Sequence, residues 1–558
     1  MKSMRRFFSV RRLGLQGRTG ALLLMGSLIL GGGVAAATGA MSMLGEGPDL
    51  KLVSKLHDPQ HVKTFQNELN NLVRAGKKEE AFLVAFDRGD VIFETVFNAL
   101  DGIGANVGTG ERFTRVPRAD LTGPTQWASH FPPRVSGPNA SSCIECHNSP
   151  VADGAGLPVA DIHRDPFRTG VLRDIIRRNT PHLHGSGAVQ RLAEEMTDEL
   201  REQANAAVRR CGEACNIPVA LSAKGIDFGT IVITRGVPIP EEECDGPDAV
   251  PFIDVVDCTA GVSADLSGLE GVARDLIVRP FQWKGAIGFV RDFNRDASNQ
   301  EMGMQSVEIV REERDGDFDG VVNEMRVGDQ TSLAIYISAQ PRPVTRQELA
   351  RVGLIPPLSR DENRAIERGE RTFAAIGCAT CHTPALTIDN PIFSEPSQNE
   401  FFRDERFPAG QLARSRALRV ETAVTFDLTR DQPDNRIEVD GREVRLGSFE
   451  RGRRGEAIVR LYSDLKQHDM GPRLAEPIDE IGNGAATFLT EALWGVGGTA
   501  PYLHDGRATT LTEAILEHGG EAQASRDAFV RLKTRDKANV IAFLDNLTLL
   551  LLEEEEEE

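Results

Sequence analysis

Two cysteines followed directly by histidine occur twice in the chain, as Cys143-Ile-Glu-Cys146-His147 and Cys378-Ala-Thr-Cys381-His382. This spacing lets two thiols add to the vinyl groups of one haem while the adjacent imidazole ligates its iron. The competing reading is a pair of redox or zinc CxxC sites. Four of the eight cysteines fall in these two boxes. The sequence therefore predicts two covalently bound haem c groups, with His147 and His382 as the proximal iron ligands.

A second cluster has the chemistry of a hard cation. Asp315-Gly-Asp317-Phe-Asp319-Gly320 sets three carboxylates at alternate positions before a glycine, as the opening of an EF-hand loop does, and Glu324 follows. Where the EF-hand needs its bidentate glutamate the chain has Arg326, so a full EF-hand is excluded. The segment reads as a shorter Ca2+ loop closed by Glu324, against a plain solvated acidic turn.

These groups sit in a chain of 558 residues that is 40% hydrophobic, enough for sizeable cores and, by length, about three to four domains. The net charge is -19, part of it from the terminal run Glu553 to Glu558. That charge argues against nucleic acid as a partner and favours a basic, small redox protein as electron donor. Near the N-terminus, Arg5, Arg6, Arg11, Arg12 and Arg18 precede an apolar run from Ala21 to Ala37 that ends in small residues. Residues 1–40 thus read as an export signal, or as an N-terminal anchor if retained, the one route by which a membrane would be a partner. The expected location is periplasmic or otherwise exported. In an oxidising compartment Cys211/Cys215 and Cys244/Cys258 are best taken as two local disulfides, although three pairings are possible.

The elements that must position the chemistry are only partly visible. Residues 50 to 100 look helical and lead through a Gly-rich stretch, 102 to 110, to the first box. From about 218 to 282, β-branched runs such as Ile231-Val-Ile-Thr234 mark a small sheet. Ile437 to Val444 carries the Asp-Gly of a hairpin turn. Helices are expected over Glu362 to Ala375, leading into the second box, and over Arg535 to Leu550. The four prolines between Pro341 and Pro357 mark a boundary.

Several longer motifs accompany the boxes: Arg178-Asn179-Thr180-Pro181, Arg279-Pro-Phe-Gln-Trp283-Lys-Gly285, Leu493-Trp494-Gly495 and Thr499-Ala-Pro-Tyr-Leu-His504-Asp-Gly506. On these, residues 80 to 550 resemble the dihaem oxidoreductases often labelled thiol oxidoreductases, relatives of the bacterial dihaem cytochrome c peroxidases. The resemblance implies a mainly α fold with a small β element, built as two cytochrome c-like haem domains with long loops and insertions. The N-terminal haem domain would span 41–345, with an inserted β-containing region at about 200–280 and the acidic loop. The C-terminal one would span 346–552, with 553–558 as an acidic tail.

The resemblance also suggests ligands and roles. The position that matches the peroxidases' distal methionine on the second haem, fourteen residues after His504, is His518. A bis-His second haem of low potential is implied, with Met470 as the competing ligand and His504 fixing a loop or a haem propionate. Trp283 matches a bridging tryptophan that would relay oxidising equivalents between haems. Glu301, followed by Met302, matches a glutamate over an open first haem, where a carboxylate can take a proton from bound peroxide and return it to the leaving oxygen. His163 matches a reversible distal cap on that haem, with His182 and His184 as alternatives.

The activity implied is that of a peroxidase-like haem oxidoreductase acting on peroxide or O2. The histidine at 518 leaves room for a dihaem oxygenase resembling rubber oxygenase, for an enzyme that oxidises a protein partner at a distance, and for a non-enzymatic electron-transfer cytochrome. The spare cysteines lack a CxxC pair, so a thiol-oxidoreductase role gains nothing from them.

Overall fold

The computed structural model describes residues 49–549 apart from 107–110, 124–125, 128–130, 248, 408, 412–417 and 440. The export-signal segment and the glutamate tail lie outside the described residues.

Apolar residues at helical spacing build the larger elements. Helices α1 (Gln66–Arg74) and α2 (Lys78–Glu94) fill the middle of the stretch 50–100 expected to be helical before the first box. The longest, α3 (Ser186–Arg210), buries Leu192, Ala193, Met196, Leu200, Ala204 and Ala207, a stripe of three- and four-residue steps along one face. Then come α4 (Val290–Gln300), α5 (Val327–Ser338) and α6 (Arg360–Ala375). Last are α7 (Leu511–Glu517), α8 (Gln523–Arg531) and α9 (Thr534–Asn546). The start of α6 is fixed by a capping box, in which Ser359 and Glu362 each satisfy the other's free amide.

The expectation of a mainly α chain of cytochrome c-like domains does not hold. Among the described residues 35% are helix and 16% strand, and the strands form seven sheets of two or three strands each. The fold is equally not plainly of another class. Many of these strands are only two to four residues long, as at Leu386–Ile388, Ile392–Glu395 and Ala457–Val459. Runs that short carry no readable alternation, so they pass for loop in the sequence.

The sheet expected between 218 and 282 is an antiparallel meander. It consists of β3 (Asn216–Ala223), β4 (Ile226–Arg235) and β5 (Val262–Leu269), preceded in the chain by the short β1 (Ile162–Arg164) and β2 (Ile176–Arg178). Alternate residues Val219, Leu221 and Ala223 of β3 are buried, and they join the core of α3. Disulfides link Cys211 to Cys215 and Cys244 to Cys258, with Cα separations of 5.2 and 5.8 Å. The Ile437 hairpin forms too, Ile437 pairing with Val444.

Two helix crossings depend on glycine. Helix α2 meets α5 where a Cβ on Gly89 would overlap the Ser332 carbonyl, and α6 meets α9 where a Cβ on Gly369 would overlap the Asn539 carbonyl. The second crossing supports the box that follows α6. Gly369→Ala should therefore destabilise the protein by about 1–3 kcal/mol through overpacking, measurable as an earlier denaturant midpoint. An unchanged midpoint would contradict the close approach. No helix among the described residues is long and apolar enough to cross a membrane.

Candidate functional site

Both boxes open into one cavity of about 480 Å³, which is lined by Cys143, Cys146, His147, Cys378, Cys381 and His382. Each box is a single 3-10 turn, Cys143–Glu145 and Cys378–Thr380. Such a turn brings both thiols and the following imidazole to one side. Burial pushes the Cys143 and Cys146 thiols up to about 12 and the Cys378 thiol up to about 11. Redox CxxC pairs need the opposite shift.

The imidazoles are oriented as ligands. His147 Nδ1 lies 3.0 Å from the Pro181 carbonyl and 3.2 Å from that of Gly154. His382 Nδ1 is 3.1 Å from the Tyr462 carbonyl and His518 Nδ1 is 2.8 Å from the Ala514 carbonyl. A carbonyl can only accept, so Nδ1 carries the proton in all three rings and Nε2 keeps its lone pair for a metal. Burial holds His147 and His382 down at about 4 and lowers His518, so all three are neutral at physiological pH.

The ring centres of His382 and His518 are 6.5 Å apart. Two imidazoles on one metal, at about 2 Å per bond and roughly 1.1 Å from nitrogen to ring centre, stand about 6 Å apart. The pair thus fits the two faces of one haem iron. His182 and His184 have a similar ring separation, 6.1 Å. There, however, His182 donates from Nε2 to the Trp494 carbonyl at 2.9 Å, which removes that nitrogen from ligation. His184 is buried with Nε2 unpartnered. Met470 also lines the cavity.

Glu301 and Trp283 are cavity residues as well. Glu301 caps the C-terminus of α4, a helix fixed from behind by buried ion pairs: Arg291 with Glu395 at 2.8 Å, and Arg295 with Glu308 at 2.9 Å. The Glu301 carbonyl accepts from the Asn139 amide at 2.8 Å, tying it to the segment that enters the first box. Its Oε1 accepts from Ser136 Oγ at 3.1 Å, and Oε2 is buried without a partner. Burial raises Glu301 to about 7, against the lowering pull of Arg164. Trp283 donates from Nε1 to the Asn179 carbonyl at 2.9 Å, and Asn179 in turn donates from its amide to the His504 carbonyl at 2.7 Å. The indole is thereby pinned where the RNTP segment meets the loop of His504. That histidine stacks on Phe488 at 4.3 Å and is buried.

His163 is placed differently. On β1 its neighbours Ile162 and Arg164 line the cavity, and His163 is not among the lining residues. Alternation along a strand turns successive side chains to opposite faces. Two further charged groups had no counterpart in the sequence reading. Arg164 holds Glu480 at 2.9 Å and Asp296 at 3.6 Å. His468 sits between Asp464 at 2.9 Å and Glu521 at 2.7 Å. Burial alone would depress His468, but those carboxylates raise it to about 11, so it stays an imidazolium. Period-two alternation from Ile162 could have flagged Arg164; nothing local flags the His468 pair.

The remaining sequence candidates lie apart from the cavity. Asp315, Asp317 and Asp319 bring carboxylate oxygens within 4.8 Å of one another, and Glu324, outside that set, is buried and feels the charges of Asp317 and Asp319.

The cavity thus presents an imidazole pair, His382 and His518, at the second box and a buried carboxyl group, Glu301, near the first. No curated protein matches the chain. Residues 454–547 match the family model described as di-haem oxidoreductase, putative peroxidase. This stretch contains His468, Met470, His504 and His518, and the match supports the resemblance of the chain to the di-haem oxidoreductases over that segment.

Proposed function

We propose that the protein is an exported, peroxidase-like oxidoreductase with a covalent haem c at each box. The first haem is open for reaction with peroxide, and the second is six-coordinate between His382 and His518. Haem, when bound, supplies the redox chemistry. The observation that supports this reading is the asymmetry of the cavity, with a paired imidazole at one box and an unpartnered carboxyl oxygen near the other.

In this reading each residue has a bounded task. Cys143, Cys146, Cys378 and Cys381 fix the porphyrins, and His147 ligates the first iron. Glu301, held near neutrality by burial, takes and returns a proton at Oε2. Arg164 places positive charge beside it, where negative charge would build up on a leaving oxygen. Trp283, anchored through its N–H, presents its ring to the shared cavity as a relay. A small redox protein supplies the electrons. The two disulfides suit an oxidising compartment.

A second reading, an oxygenase acting with O2, is favoured by the imidazole at 518, because bis-imidazole ligation lowers the potential of the second haem. Optical and EPR spectra of the ferric holoprotein test the proposal. One high-spin and one low-spin haem are expected, with a spectral change on adding peroxide. Two low-spin haems that ignore peroxide would leave only an electron carrier, and a stable oxygen complex as purified would favour the oxygenase.

A further inference from the structure

The acidic loop has no part in haem chemistry, yet it leaves buried charge unanswered. Asp317 is fully buried, and neither of its carboxylate oxygens receives a hydrogen bond. Glu324 is 1% exposed; its Oε2 accepts from the Gln305 amide at 2.7 Å, and its Oε1 has no donor. Asp319 is also buried, with Oδ1 accepting from the Val321 amide at 2.7 Å and Oδ2 from Arg112 at 3.2 Å. Asp315 closes the loop through the amides of Asp319 and Gly320, at 3.2 and 2.9 Å. Three carboxylate oxygens therefore face the interior with no donor, an arrangement that costs several kcal/mol per ion unless a cation answers it.

Charge and spacing both indicate which cation. Four carboxylates meet two guanidiniums, Arg112 on Asp319 and Arg134 at 4.0 Å from Asp317, which leaves two negative charges uncompensated. The Asp315, Asp317 and Asp319 oxygens lie within 4.8 Å of one another. Oxygens around one Ca2+ at about 2.4 Å stand no farther apart than about 4.8 Å.

We propose that Asp315, Asp317, Asp319 and Glu324 bind one Ca2+ ion, which braces the turn that follows Glu301. Carboxylate donors gathered from one loop, with Asp317, Asp319 and Glu324 buried, suit Ca2+ better than Mg2+, which keeps several waters of its hydration shell. The brace is short. Glu324 holds the Gln305 amide, Arg134 donates to the Gly303 carbonyl at 3.2 Å, and the Gly104 amide donates to the Met302 carbonyl at 2.7 Å.

The test uses the full holoprotein. Elemental analysis of the purified protein should find one calcium per chain. After stripping with EGTA, calorimetric titration with CaCl2 should show one saturable site. Ca2+ should raise the melting temperature by on the order of 3 °C at concentrations well above Kd. MgCl2 should bind at least roughly tenfold more weakly, and Asp317→Asn should weaken Ca2+ binding by a similar factor. No calcium as purified together with no saturable uptake after EGTA would overturn the site, whether or not the variant folds. Equal affinity for Mg2+ would overturn its assignment to Ca2+, and unchanged affinity in a folded Asp317→Asn would overturn the ligand set.

Discussion

Glu301→Gln should lower turnover with peroxide by about 10²–10⁴-fold, the range for removing a positioned acid–base group, and leave the ferric spectra of both haems intact. The amide keeps the size of the side chain and can still meet Ser136, so what disappears is the exchangeable proton at Oε2. The pH profile separates this from a general defect. Burial raises Glu301 to about 7, and the carboxylate is the form that accepts a proton from incoming peroxide. In the native protein kcat/KM should therefore rise with pH up to about 7 and then level; the variant should lack that limb. Stability moves the other way. A carboxyl whose folded pKa lies above its usual 4.5 keeps its proton longer in the native state. Stability accordingly falls as pH climbs from about 4.5 through 7 and levels above it. Glu301→Gln cannot ionise and should be spared that loss, so it should be at least as stable as the native protein at pH 8. An active variant with an unchanged limb would remove Glu301 from the mechanism.

What the sequence revealed follows from how local each signal is. The two boxes are pentapeptides whose chemistry lies in adjacent residues, so Cys143 to His147 and Cys378 to His382 could be read without knowing the fold. The same holds for the hairpin around Gly441. His518 needed the resemblance. It lies 136 positions from His382 along the chain, and only the packing of α7 toward the second box shows the rings facing each other at 6.5 Å. His163 and Arg164 mark the limit of matching by position. One step along β1 exchanges the cavity face for the opposite face, and a count of residues from His147 carries no information about which side of a strand a side chain takes. The fold class was misjudged for a related reason. Helices announce themselves over ten or more residues, whereas strands of three residues such as Leu386–Ile388 and Ala457–Val459 exist only because each finds the other.

Replacing His518 should change the second haem and spare the first. His518→Met keeps a soft, long side chain at the C-terminal end of α7. It should raise the second potential by more than about 0.1 V, within the roughly 0.8 V that axial ligands command. His518→Ala removes the ligand nitrogen and should convert one low-spin haem to high-spin, so the ferric EPR spectrum shows two open centres in place of one. Met470 supplies the control, because it lines the same cavity and carries a thioether that could reach a metal. If His518 is the ligand, Met470→Leu leaves both spectrum and potential unchanged. The reverse pattern, with Met470→Leu shifting the second haem and His518→Ala silent, would transfer the ligand role to Met470. The outcome bears directly on function. A second haem held at low potential by two imidazoles is poorly matched to a high-potential donor and well matched to a reducing one. Raising its potential through His518→Met should therefore leave turnover with low-potential donors little changed and improve it with high-potential donors.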